Sequence, residues 1–252
     1  MSDEDAKLGD VISYGLVANF VHQVINPLNG VAGTLENLVE GVIPPDRAQQ
    51  RTRAARAQLE QAILLLRNLA FFTELSGDQP ESANRRVRKV CVIPQIIIEA
   101  AMFFQELAAM KGMKLELEDR ETQYRVEGNP DLLRQVFMNL FDNAVKYGQS
   151  DTTVYITPWV QKQINALLIR VSGISLHIPG RERELIFNLG YRSPAAQDKI
   201  ASGTGLGLSI CRTILKVVHG ASIEVQSSSP NGEVAFLLRF PSFTVRVRPK
   251  TS

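Results

Sequence analysis

The chain is short of cysteine, of excess charge of either sign and of long apolar runs, and each shortage removes a class of protein. Only Cys91 and Cys211 occur in 252 residues, far apart and with no Cys or His at ligand spacing, so neither a disulfide framework nor a zinc site is expected. A reducing, cytoplasmic setting fits that usage. The formal net charge is +2 and the basic residues are spread along the chain, which argues against nucleic acid as a partner. The apolar stretch over residues 63–72 is interrupted by Arg67 and Asn68, and the N-terminus opens with acidic residues instead of a basic-then-apolar leader. No membrane span of its own is expected. No internal repeat stands out. What is left is an ordinary globular balance, 44% hydrophobic and 21% charged, in a chain long enough for one large domain or two of usual size.

Apolar residues recur at Val17, Val21, Val24, Leu28, Val31, Leu35, Leu38 and Val42, alternating steps of four and three as in a coiled-coil seam. Gly41, Pro44 and Pro45 stop that pattern. Asp46 could then cap a second helix carrying Leu59, Ala62, Ile63, Leu66, Leu69 and Ala70 as far as about Leu75. Two such helices bury too little surface alone, so pairing of two hairpins into a four-helix bundle, and hence a homodimer, is expected. Residues 77–84, with Gly77 and Pro80, read as a linker between a hairpin over 1–76 and a domain over 85–252. In that domain, β-like runs at 87–93, 114–118, 152–159, 164–171, 222–226 and 234–240 mix with helical segments at 95–111, 130–147 and 206–218. The fold class is therefore α+β, a helical hairpin followed by a two-layer α/β sandwich with a mixed sheet.

Three short runs could carry chemistry. His22 is one residue past the seam position Val21 and so points outward, with Asn26 one turn later on the same face and Pro27 set to strain the helix beside it. Taken alone, an exposed His is ordinarily a surface residue. On the segment 130–147, Asn139, Asn143 and Lys146 or Tyr147 fall on one face, offering carboxamide oxygens to a hard cation and an ammonium to phosphate, as a magnesium nucleotide requires. Finally, Gly203, Thr204, Gly205, Leu206 and Gly207 lead into an apolar helix, a place where backbone donors can cradle anions.

The order of these runs resembles the catalytic core of histidine protein kinases. The run from Phe20 through His22, Gln23, Asn26 and Pro27 to Gly30 resembles the phospho-acceptor box, the run from Gly128 through Asn139, Asn143 and Lys146 to Tyr147 the asparagine box, Ile186-Phe187-Asn188-Leu189-Gly190-Tyr191-Arg192 the phenylalanine box, and Ser202-Gly203-Thr204-Gly205-Leu206-Gly207-Leu208-Ser209-Ile210 the second glycine box. Residues 188–202 would be the lid over ATP. The resemblance implies autophosphorylation of His22 from Mg-ATP and transfer to an Asp of a response-regulator receiver domain. Asn139 and Asn143 would hold Mg2+, Lys146 and the 203–207 loop the phosphates, and Tyr147 would border the nucleotide. Asn26 would orient water for phosphate removal. Where gyrase-type ATPases have a water-activating Glu, this chain has Asn139, which favours phosphoryl transfer over hydrolysis. With no sensory segment before Val17, a separate sensor protein could supply the input.

Two departures weaken the expected activity. In place of the first glycine box, Asp-x-Gly-x-Gly-Ile, the chain reads Gly173-Ile174-Ser175-Leu176-His177-Ile178, so the adenine-binding Asp is absent. Losing one charged acceptor in a buried pocket costs about 1.5–3 kcal/mol. Weaker ATP binding and poor base discrimination are expected, and His177 reads as lid surface. Gln23 stands where many members carry an acidic base after the His, and a carboxamide cannot take a proton. The alternative is a pseudokinase, a phosphotransfer or docking module with a degenerate adenine pocket. His219 reads as structural.

Overall fold

The computed structural model describes residues 3–76, 88–200, 203–229 and 232–246. Two long helices come first, α1 (Asp3–Val39) and α2 (Pro45–Ser76), packed as a hairpin. The turn between them uses Gly41 in the left-handed region at φ 70°, with Val42 and Ile43 donating back to the Asn37 carbonyl. Asp46 lies in the first turn of α2 instead of capping it, because the helix begins one residue earlier at Pro45, whose fixed φ suits that position. α1 runs through Pro27 without a break. The expected linker, 77–84, and the side chain of Val17 lie outside the described residues.

The second part follows as β1 (Lys89–Val92), α3 (Ile93–Met102), α4 (Gln105–Ala109), β2 (Lys114–Leu117), β3 (Gln123–Gly128), α5 (Pro130–Tyr147), β4 (Thr153–Gln161), β5 (Ala166–Ile174), α6 (Pro194–Lys199), α7 (Gly207–Thr213), β6 (Ser222–Ser228), β7 (Glu233–Phe240) and β8 (Thr244–Arg246). The main sheet has the order β2-β4-β5-β7-β6, antiparallel except for the parallel pair β2/β4. A second sheet, β1-β3-β8, is antiparallel throughout.

Three expectations are corrected here. The helix expected over 95–111 is two, α3 and α4, separated by Phe103 and Phe104; Phe104 leaves the helical line to bury its ring edge-on to Phe141, centroids 6.4 Å apart. Strands β3 and β8 were not expected. β3 does alternate, with Tyr124, Val126 and Gly128 buried between Gln123, Arg125 and Glu127, while β8 is only three residues long and exposed along its length. The helix expected to run evenly over 206–218 widens into a π turn at Ile214–Val218.

α5 is the spine of the domain. Asn129 caps it, its side chain accepting from the Asp131 and Leu132 amides at 3.0 and 3.3 Å, and Pro130 sits in the first turn where its missing donor is harmless. One face, Leu133, Val136, Phe137, Leu140 and Phe141, is wholly buried. It packs on α3 and α7 and leaves the adjoining polar face, with Asn139 and Asn143, turned to a cleft. α2 reaches the same place from outside: Leu64, Leu65 and Phe71 join the core, whereas Leu59, Ile63 and Leu66 stay exposed. α1 divides likewise, with Phe20 and Val24 buried and Val21, Ile25, Leu28 and Leu35 exposed.

Candidate functional site

One deep cleft lies between α5, the strands β5 and β7, and the segment from 174 to 208. Asn139, Asn143, Lys146 and Tyr147 line it from α5, one helical turn apart, and Gly203, Thr204, Gly205 and Gly207 line it from the loop opposite. Residues more than sixty positions apart in sequence thus meet across one cavity. Gly205 is required by both its backbone and its contacts, whereas at Gly203 only the movable end of a side chain stands in the way. A Cβ on Gly205, whose φ is 67°, would come within 2.5 Å of the Gly190 backbone, and one on Gly203 within 2.9 Å of the Arg192 guanidinium. At the start of α7, a Cβ on Gly207 would sit 3.4 Å from the Asn139 Oδ1. The bare backbone of this loop is therefore held close to the α5 carboxamides.

Leu206 differs from its neighbours in the run: its side chain is fully buried in the core and does not line the cleft. Its amide donates to the Thr204 Oγ1 at 3.2 Å, so Thr204 shapes the loop. His177, expected on the surface, lines the cleft. Lys146 is tethered to Asp142 on its own helix at 2.6 Å, both side chains being largely shielded. Lys111 and Lys199 bind the carbonyls of Val145 (2.5 Å) and Tyr147 (2.6 Å) at the C-terminal end of α5, where cations oppose the helix dipole. Burial and the neighbouring charge of Lys111 lower the pKa of Lys199.

The acceptor run is divided between surface and cleft. His22 and Asn26 are exposed on α1 and stand outside the cleft lining. Gln23 is buried and lines the cleft. His219 is buried between Gly128 and Phe240, and burial drives its pKa down to about 4, as expected for a structural imidazole kept neutral.

One feature of the site was not anticipated. Asn68 of α2, 3% exposed, donates to the Asn139 Oδ1 at 2.8 Å and accepts from Gln135 (2.8 Å) and from the Asn139 amide (3.2 Å). Three buried carboxamides thus join the hairpin to the α5 face that lines the cleft. The sequence held a signal, since Asn68 interrupts an apolar stripe and a buried amide needs partners. Gly173, expected from the sequence to stand where an adenine-binding Asp is absent, lines the cleft. Gly173 lies on β5, and a Cβ there would be 3.2 Å from Val154 Cγ2, close enough to require a small adjustment but not forbidden. Ser172 beside it is buried and accepts from Arg170 at 3.0 Å.

This arrangement has the build of a nucleotide-binding domain, and comparison with known proteins agrees. Residues 128–244 match the family described as histidine kinase-, DNA gyrase B-, and HSP90-like ATPase. Over 218 residues the chain is 28% identical to the sensor protein kinase WalK of Staphylococcus haemolyticus, covering 84% of this chain and 35% of that protein. It is 27% identical over 218 residues to WalK of Staphylococcus aureus, 51% of which is covered. The chain therefore spans about a third to a half of the length of these relatives. Among solved structures, the catalytic domain of histidine kinase ThkA superposes with a TM-score of 0.51 at 25% identity, over 62% of this chain and 97% of that one. Full-length ShkA in complex with AMPPNP gives 0.59 at 19% identity over 94% and 47%, a likeness of fold that includes the hairpin. Residues 128–244 are thus an ATPase domain of this family. With its helical N-terminal segment, the chain is similar along most of its length to sensor histidine kinases. No helix among the described residues is long and apolar enough to cross a membrane.

Proposed function

We propose that this chain is a protein-histidine kinase of a two-component phosphorelay, with 1–76 as dimerising acceptor hairpin, 77–84 as linker and 85–252 as ATP-binding domain. The supporting observation is convergence: the asparagine face of α5, the 203–207 loop and Gln23, adjacent to His22, line one cleft. A nucleotide would lie with its phosphates between Lys146 and the glycine loop, whose lack of side chains leaves the backbone free to approach. Asn139 and Asn143 supply neutral oxygen ligands suited to Mg2+, which would neutralise charge developing on the transferred phosphoryl group. Tyr147 borders the nucleotide. The His22 imidazole nitrogen attacks the γ-phosphorus, the bond to the ADP oxygen breaks, and the imidazole proton leaves to solvent because the Gln23 carboxamide cannot accept it. Positioning does most of the work, and the absence of an acidic neighbour makes this step slow.

The phosphoryl group then passes to a response-regulator Asp. ThkA has been solved in complex with the response regulator TrrA, and the exposure of His22 and Asn26 leaves both open to a partner of that kind. In that complex Asn26 would orient water for phosphate removal. The exposed apolar faces of both helices, Val21, Ile25 and Leu28 on one and Leu59, Ile63 and Leu66 on the other, support a homodimer. Such a protein works in the cytoplasm.

Incubation with radiolabelled ATP and magnesium should label the protein with acid-labile, alkali-stable phosphate. The lack of a carboxylate at Gly173 favours a second reading, a docking or phosphotransfer module without ATP use. That module would bind a phosphorylated receiver but take no label from ATP.

A further inference from the structure

A buried charge in the cleft has no place in the site described so far. Glu182 ends the short turn Gly180–Glu182, is 7% exposed, and lines the cleft with Ile178 and Ile186, four residues to either side of it. Its Oε2 is shielded from solvent and has no hydrogen-bond partner among the described residues. Among the described residues, the ion-pair partner of its other oxygen is the guanidinium of exposed Arg181, 3.9 Å away. A shielded carboxylate with so few donors is costly to maintain, and buried polar groups are ordinarily satisfied. A ligand that brings a donor would satisfy it.

The chemistry of the cleft selects which part of a nucleotide that is. Phosphates are excluded beside a carboxylate, and the groups suited to them, Lys146 and the 203–207 loop, come from other elements. The donors left on a nucleotide are the exocyclic amine of the base and the ribose hydroxyls. The segment that bears Glu182 contributes Ile174, Leu176, Ile178 and Ile186 to the cleft, apolar side chains that suit the faces of a flat base.

We propose that Glu182 reads the base, accepting a hydrogen bond from the exocyclic amine of adenine, a task for which the β5 position Gly173 offers space but no acceptor. The inference rests on the nucleotide-site reading above. It reverses the expectation of poor base discrimination drawn from Gly173 alone.

The test is calorimetric titration of the full chain with Mg-ATP and with magnesium purine riboside 5′-triphosphate, which lacks only the amine. The wild type should prefer ATP by about tenfold or more, the effect of one charge-assisted hydrogen bond. Glu182→Leu should lower ATP to the level of the analogue and leave the analogue unchanged. Replacing a buried, weakly paired carboxylate by an apolar side chain of similar size is often neutral or stabilising, so this variant should fold. Glu182→Gln, which keeps one carbonyl acceptor, should lose part of the preference and carries the test should the Leu variant not fold. Equal wild-type affinities, or a variant that weakens both nucleotides alike or neither, would overturn the proposal. Equal losses for ATP in Glu182→Leu and for 2′-deoxy-ATP in the wild type, with the analogue bound as well as ATP, would move Glu182 to the ribose and overturn it too. Failure of the wild type to bind either triphosphate would remove the nucleotide site itself.

Discussion

Asn68→Ala should weaken the fold and strengthen nucleotide binding, opposite effects from a single deletion. In the folded chain the Asn68 carboxamide accepts from Gln135 and Asn139 and donates to the Asn139 Oδ1. Its removal strands polar groups on two residues that are 4% and 2% exposed. Each stranded buried group costs about 1–3 kcal/mol, so a total loss of about 2–4 kcal/mol is expected, the lower figure applying if water enters the space left by the side chain. The Asn139 oxygen that Asn68 occupies is also one that a nucleotide-bound magnesium would use. Freeing it spares the ligand a competing hydrogen bond of about 0.5–1.5 kcal/mol, which corresponds to about two- to tenfold tighter Mg-ATP binding. Urea melts give the first quantity and calorimetric titration with and without magnesium the second. Unchanged stability would mean that the buried triad is not formed in solution. Reduced stability with weaker binding would mean that Asn68 builds the site and does not compete with the ligand.

Three further outcomes are expected. Light scattering should give about twice the chain mass, and Leu35→Glu, which places a charge on an exposed apolar position of α1 far from the acceptor run, should give a single chain; a wild-type monomer at micromolar concentration with full helical content would refute the pairing. Because burial, reinforced by the charge of Arg88, lowers the His219 pKa from 6.5 to about 4, the folded state resists its protonation; stability is complete above pH 6.5 and should fall by about 3 kcal/mol as the pH drops toward 4. His219→Gln should flatten that dependence, and an unaltered slope would assign it to other groups. Gly173→Asp, introduced into the Glu182→Leu protein, should recover about tenfold in ATP affinity, since Val154 needs to yield only a few tenths of an ångström; no recovery would show that the β5 position does not face the base.

The parts of the protein legible from sequence were those with a strong local period or a dense motif. α5 fell on its expected residues because Asn129 and Pro130 mark its start and Tyr147-Gly148 its end. The hairpin followed from the four-three spacing, and the cleft from the asparagine and glycine runs. What escaped depends on contacts remote in sequence. Phe104 breaks a helix to meet Phe141, thirty-seven residues on, and β8 exists because β3 pairs with it, its own sequence being exposed and weakly patterned. Leu206 belongs to the glycine run by position but to the core by burial, a distinction that spacing does not encode. Glu182 lies within Arg181-Glu182-Arg183-Glu184, where nothing local tells a buried carboxylate from solvated charges.

The central claim is that His22 receives phosphate from a nucleotide bound in a different part of the chain. It is tested most directly by following label and nucleotide binding together in the wild type and in His22→Ala. The exposed position of His22 outside the cleft lining predicts that the variant binds Mg-ATP as the wild type does, yet carries none of the acid-labile phosphate the wild type acquires. Label that persists in His22→Ala, or a wild type that binds Mg-ATP and remains unlabelled, would contradict it.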